Sequence, residues 1–135
     1  MNNNALDEAL YSHLAGGTAL THLLGGTAIY YGKPPSAGVL PWVIVSFVAG
    51  SEENLTPHRS QRWVYLVKGV ATSVHAAGEI ASEIDSLLHG VTLTVSGATQ
   101  FWAARETIVR YQELDDVGHT IGNAGGTYAF RTEDT

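Results

Sequence analysis

Two segments of this chain, Trp42 to Ala49 and Arg62 to Ala71, are rich in valine and aromatic residues and are apolar on both sides. Side chains alternate across a strand. In the first segment Trp42, Ile44 and Val48 therefore share one face, while Val43, Val45 and Phe47 share the other. In the second, Trp63, Tyr65 and Val67 oppose Val64, Leu66 and Val70. Residues of these types suit a pleated surface, and a strand apolar on both faces has to be covered on both faces. The fold must therefore bury a sheet from two sides. With 135 residues the chain fits one domain. A domain of that size hides roughly two-thirds of its unfolded surface and needs no covalent staple.

The helices are legible from spacing. Ala77, Ile80, Ala81, Ile84, Leu87 and Leu88 recur at helical intervals, predicting the main helix over residues 74–89. Ser73 or Thr72 can cap its start, and Gly90 stands where a terminating glycine belongs. Glu79, Glu83 and Asp85 fall on its other faces. Near the N-terminus, Leu6, Leu10 and Leu14 predict a short amphipathic helix. Asn4 can cap it, Asp7 and Glu8 sit in its first turn, and Gly16-Gly17 ends it. Thr18 can cap a further apolar turn to Leu24, stopped by Gly25-Gly26. The candidate core is Leu10, Leu14, Val45, Trp63, Tyr65, Ile80, Ile84 and Leu88.

Between these elements lie a short strand (Ile29, Tyr30, Tyr31), a proline-rich loop from Lys33 to Pro41, and a polar loop from Gly50 to Gln61. The polar loop is longer than the two to five residues usual in a hairpin. Its mixed charges make Glu52, Glu53, Asn54, His58, Arg59 and Arg62 a candidate interface that would bridge to a neighbour and order on contact. After the main helix come a strand from Val91 to Val95, a Ser-Gly turn, and a strand from Phe101 to Glu113. A turn at Asp115 to Gly118 and a last strand near Thr127 to Arg131 complete the chain. The expected architecture is a single α+β domain over residues 1–135. It has a largely antiparallel sheet, two main helices packed on one face, and a C-terminal β-hairpin. Two short helices cover one sheet face. The other falls to a second layer or to another subunit.

No residue pattern points to catalysis. His13, His22, His58, His75, His89 and His119 form no H-x-x-x-H pair and have no carboxylate at ligand spacing. Gly32-Lys33 followed by Pro34 lacks the spacing and hydroxyl of a phosphate loop. Gly122 to Gly126 precedes a predicted strand, not a helix, which disfavours a dinucleotide cradle. Glu113, Asp115 and Asp116 read as a solvated turn. Ser36, Ser46, Ser51 and Ser60 lack a nucleophile elbow. No enzyme activity, cofactor or metal is expected. With no cysteine, disulfides are excluded. The net charge of −6 and the scattered basic residues disfavour a grip on phosphates. MNNNALDEAL has no basic leader, and the apolar run from Val39 to Ala49 is too short to span a bilayer. A soluble intracellular protein is expected. Charged residues make up 15% of the chain, below the usual ~25%, and so sparse a charge favours a surface covered by neighbours.

The order of LDEALYSHL, IYYGKPPSAGVLPWVIVS, QRWVYLVKGVA, SVHAAGEIASEIDSLLHG and RYQELDDVGHTIGNAGGTYAFR resembles the tail terminator (tail-completion) proteins of long-tailed phages. The resemblance covers most of the chain. It implies a ring of six copies at the head-proximal end of the tail tube, which stops tube growth and offers the head its joining surface. The implied partners are further copies of the chain, the major tail tube protein and a head-tail connector or stopper. DNA would pass through the lumen without specific binding, and no membrane is involved. The implied location is the virion tail, with the host cytoplasm as site of assembly. The alternatives are another connector component (stopper or adaptor) or a dimeric small-molecule-binding or enzymatic α+β domain.

Overall fold

The computed structural model describes residues 3–36, 38–53 and 59–135. Its elements, in order, are α1 (Asn3–Ala15), α2 (Thr18–Leu24), β1 (Ile29–Tyr31), β2 (Trp42–Glu52), β3 (Ser60–Ala71), α3 (Val74–Leu88), β4 (Thr94–Val95), β5 (Ala98–Leu114) and β6 (Thr120–Asp134). The strands form one six-stranded sheet in the order β1-β2-β3-β6-β5-β4, antiparallel except for the β1–β2 pair. The fold is α+β, with the helices on one face of the sheet and β5–β6 as a C-terminal hairpin.

The helices obey their apolar spacing. Leu6, Leu10 and Leu14 of α1 are fully buried, as are Ala77 and Ile84 of α3. Leu10, Leu14, Val45, Tyr65, Ile80, Ile84 and Leu88 belong to a single core cluster, and Trp63 packs partly buried against it. Ser73 is the N-cap of α3 and accepts the Ala76 amide at 3.1 Å. Removing that acceptor in Ser73→Ala should cost about 1 kcal/mol, while Ser73→Asp should keep most of the stability. Urea melts of the two variants check this: equal losses would mean that the cap bond contributes nothing.

Three local details differ from the sequence expectation. Asn4 lies inside α1, which starts at Asn3, so Asp7 and Glu8 fall beyond its first turn. Asp7 instead meets the sheet, its carboxylate accepting the Tyr65 hydroxyl at 2.6 Å. Thr18 is the first residue of α2 and Gly17 its cap. Gly17 is held there because a β-carbon would come within 2.6 Å of Leu87 on α3. Asp85 turns back to the sheet, accepting from the Tyr128 hydroxyl at 3.0 Å.

The strands differ more. β2 and β3 run on into the polar segment, with Gly50, Ser51 and Glu52 opposite Trp63, Arg62 and Gln61. β4 is only Thr94–Val95, β5 begins at Ala98, and β6 begins at Thr120 rather than near Thr127. Gly122 to Gly126 thus lies within a strand, and that strand sits mid-sheet between β3 and β5. Here the glycines serve close approach: a β-carbon on Gly122 would lie 2.3 Å from the Ser73 backbone, and one on Gly126 2.4 Å from the Thr107 carbonyl.

The register defines the sheet's two faces. Val43, Val45, Tyr65, Val67, Ala124, Tyr128 and Phe130 face the helices and join the core cluster. Ile44, Val70 and Ala129 face the other way and are also buried, yet stand outside that cluster. They are shielded by neighbours on their own face: Trp42, Leu66, Lys68 and Pro34 line a groove of about 260 Å³ there with Ile44 and Val70. Among the described residues no helix covers this second face. The apolarity of both faces in β2 and β3 thus serves a helical layer on one side and lines an open groove on the other.

Candidate interaction surface

Several groups of types that carry chemistry in other proteins are engaged in local structure here. Among the described residues no three His, Asp or Glu side chains are grouped to hold a metal. His13 lies 2.8 Å from the Leu87 carbonyl through Nε2, and the Nδ1 of His89 accepts the Arg105 amide at 3.3 Å. His75 and His119 each sit beside a carboxylate four residues away. The Asp115 carboxylate accepts the amides of His119 at 2.8 Å and Val117 at 3.0 Å, which hold its pKa below the usual range. Glu113 accepts from Asn123 at 3.0 Å. The acidic spot is a braced hairpin turn. The Tyr65 hydroxyl donates to both Asp7 and Asn3. Burial, with the Asp7 carboxylate adding to it, pushes the Tyr65 phenol well above its ordinary pKa.

Four of the charges in the candidate interface, Glu52, Glu53, Arg59 and Arg62, have ion-pair partners within the chain. Arg59 meets Glu52 across the β2–β3 hairpin, and Arg62 reaches Glu106 on β5. Arg131 on β6 lies 3.7 Å from Glu53. Asn54 and His58 lie outside the described residues. The strand extensions explain the pairing: the ladder brings Glu52 beside Arg59, and the mid-sheet strand carries Arg131 to the same end. Exposed pairs of this kind contribute little stability each.

What the surface offers instead is apolar. Among strand residues, the large exposed apolar side chains are confined to the outer strands: Tyr31 on β1, Phe47 and Val48 on β2, and Phe101, Trp102, Ile108, Tyr111 and Leu114 on β5. Neither β3 nor β6 has one. Ile108 is 72% exposed, Leu114 67% and Val117, in the hairpin turn, 74%. A sheet that keeps its exposed apolar groups at its edges presents those edges to something. The sequence reading did not single these residues out. Their signal was present in the apolar positions between polar ones along Thr107–Leu114, the pattern of a strand half in solvent.

The family model described as "Tail completion protein gp17" matches residues 8–118. No curated protein matches the sequence. Among solved structures, a chain of the "Virion of native gene transfer agent (GTA) particle" superposes with a TM-score of 0.76 at 17% identity, covering 96% of this chain and 96% of that one. At that identity the likeness is one of fold.

Proposed function

The chain belongs to the tail completion protein gp17 family, and from that premise we propose that this structural protein of a phage tail caps the head-proximal end of the tail tube as a closed ring. The family match over most of the chain is the observation that carries the reading. In this role the ring, of six copies, ends tube polymerisation and provides the surface to which the head connector joins. The tail tube protein contacts one side and the connector the other. The Asp115 and Glu113 carboxylates brace the hairpin, a use that suits an assembly role. DNA would pass without being gripped, since the net charge is −6 and the cations on the helix-free sheet face are engaged. Arg62 meets Glu106, Arg131 meets Glu53, and Lys68 donates to the Tyr111 hydroxyl at 2.6 Å. No described helix is long and apolar enough to cross a membrane.

Particles assembled without this protein test the reading. Tubes should run to irregular lengths and remain unjoined to heads, and added protein should restore joining. Imaging of complete tails should place the protein in a ring at one tube end. Tubes of normal length that fail only to join heads would assign the chain to a later connector position instead.

A further inference from the structure

Beyond Arg105, one long border of the sheet is bare. β4 pairs only with Ala98 and Thr99 of β5. The Gly90 amide reaches the Ala103 carbonyl at 2.9 Å, and the Arg105 amide meets His89. From Thr107 to Leu114 no described residue bonds to the outer side of β5. The direction of the backbone groups follows from the turn. Asp115 donates its amide to the His119 carbonyl, and pairs in an antiparallel ladder alternate between bonded and unbonded. Ile108, Arg110, Gln112 and Leu114 therefore point their amides and carbonyls away from β6.

The opposite border is bare as well. The short β1 covers β2 only over Val43–Val45, where Val43 bonds the Ala28 carbonyl and the Gly32 amide bonds Val45. From Ser46 to Ser51 the outer side of β2 has no backbone partner among the described residues. Each bare stretch carries exposed apolar side chains: Phe47 and Val48 on β2, and Ile108, Tyr111 and Leu114 on β5, where Phe101 and Trp102 lie outside it. Neither stretch contains the proline that often blunts an edge. Two different open edges at opposite ends let copies join head to tail, and such heterologous contacts close into a ring where the rotation from copy to copy closes.

We propose that neighbouring subunits of the ring pair edge to edge, Thr107–Leu114 of β5 in one copy against Ser46–Ser51 of β2 in the next. The proposal rests on the ring reading above and specifies how its members join. The pairing is antiparallel. β2, β3, β6 and β5 alternate in direction, so β5 runs opposite to β2 within one sheet. Rotation about an axis along the strands leaves each direction unchanged and brings the next β2 against β5 in opposite sense. The ladder is interrupted where the β2 register shifts between Phe47 and Ala49, which turns Val48 outward. On the helix side Ile108 then lies diagonally across the joint from Phe47, and both exposed apolar groups are covered.

The chain has no cysteine, so introduced thiols report cleanly. Ser51→Cys combined with Thr107→Cys, or Phe47→Cys combined with Arg110→Cys, pairs that share a face and a level in this joint, should, on oxidation of protein docked on tails, give a ladder of disulfide-linked species ending at ring size. Gln112→Pro removes an outward amide and spares the β6 ladder. It should reduce assembly at the tail end at least tenfold, with a melting temperature within a few degrees of the parent. Crosslinking of Gln112→Cys alone into dimers, with no ladder from the double variants, would show a two-fold β5–β5 contact and overturn the proposal. So would rings that form normally from Gln112→Pro, which leave the ring reading intact. Tails bearing no ring in the parent protein would refute both readings together.

Discussion

Ile84→Asp should cost about 5 kcal/mol of folding stability, enough to consume much of the ~5–15 kcal/mol typical of a domain. Ile84 is fully buried on α3, in the cluster formed with the sheet. Losing its apolar bulk alone is worth roughly 2–5 kcal/mol, and a carboxylate there would be a buried charge without a partner. Glu83→Ala, one position away and only half-buried, should change stability by no more than about half a kcal/mol. Urea titration followed by circular dichroism compares the two directly. Equal loss in both variants would mean that the face of α3 packed on the sheet is misassigned.

Gly122→Ala should be a strongly damaging methyl addition in β6. Its β-carbon would lie 2.3 Å from both the carbonyl carbon and oxygen of Ser73, and 2.4 Å from the Val74 nitrogen. These are backbone atoms at the start of α3, so no rotamer change relieves the contact. Either the helix lifts from the sheet or the central strand bows. Overpacking of this kind costs about 1–3 kcal/mol and more where backbone must move, so a fall in melting temperature of roughly 10 °C is expected. Gly78→Ala provides the contrast. There the added carbon meets only the tip of the Arg110 side chain, at 2.9 Å, which is free to swing aside. Replacing a glycine inside a helix should then stabilise by about 0.5–1 kcal/mol. Calorimetry of the two variants should give shifts of opposite sign. A neutral Gly122→Ala would show that α3 and β6 do not pack as closely as described.

The recognition of the family lay in linear order, which a single sequence displays. So did α3, whose i, i+3, i+4 spacing from Ala77 to Leu88 is bounded by a serine cap and a glycine at +72°. The turn at Asp115–Gly118 was equally plain, because an aspartate that caps its own turn and a glycine at positive φ are local devices. The class of the fold followed from these pieces.

The hidden parts were those that depend on neighbours distant in the chain. Gly122 to Gly126 is turn-like by composition, and it is a strand only because β3, β5 and the start of α3 press against it from three sides. The polar run after Ala49 reads as loop, yet a ladder is built from backbone groups that are the same in every residue, so Gly50 to Glu52 extend β2. The pairing of that run's charges within the chain was also hidden, since the sheet brings Arg59 to Glu52 and Arg131 to Glu53. Spacing and composition determined the helices, the turn and the apolar strands, because those forces act over a few residues. Which strand stands in the centre and which edges stay open was decided by long-range pairing alone, since hydrogen bonding between strands leaves almost no trace in the order of side chains.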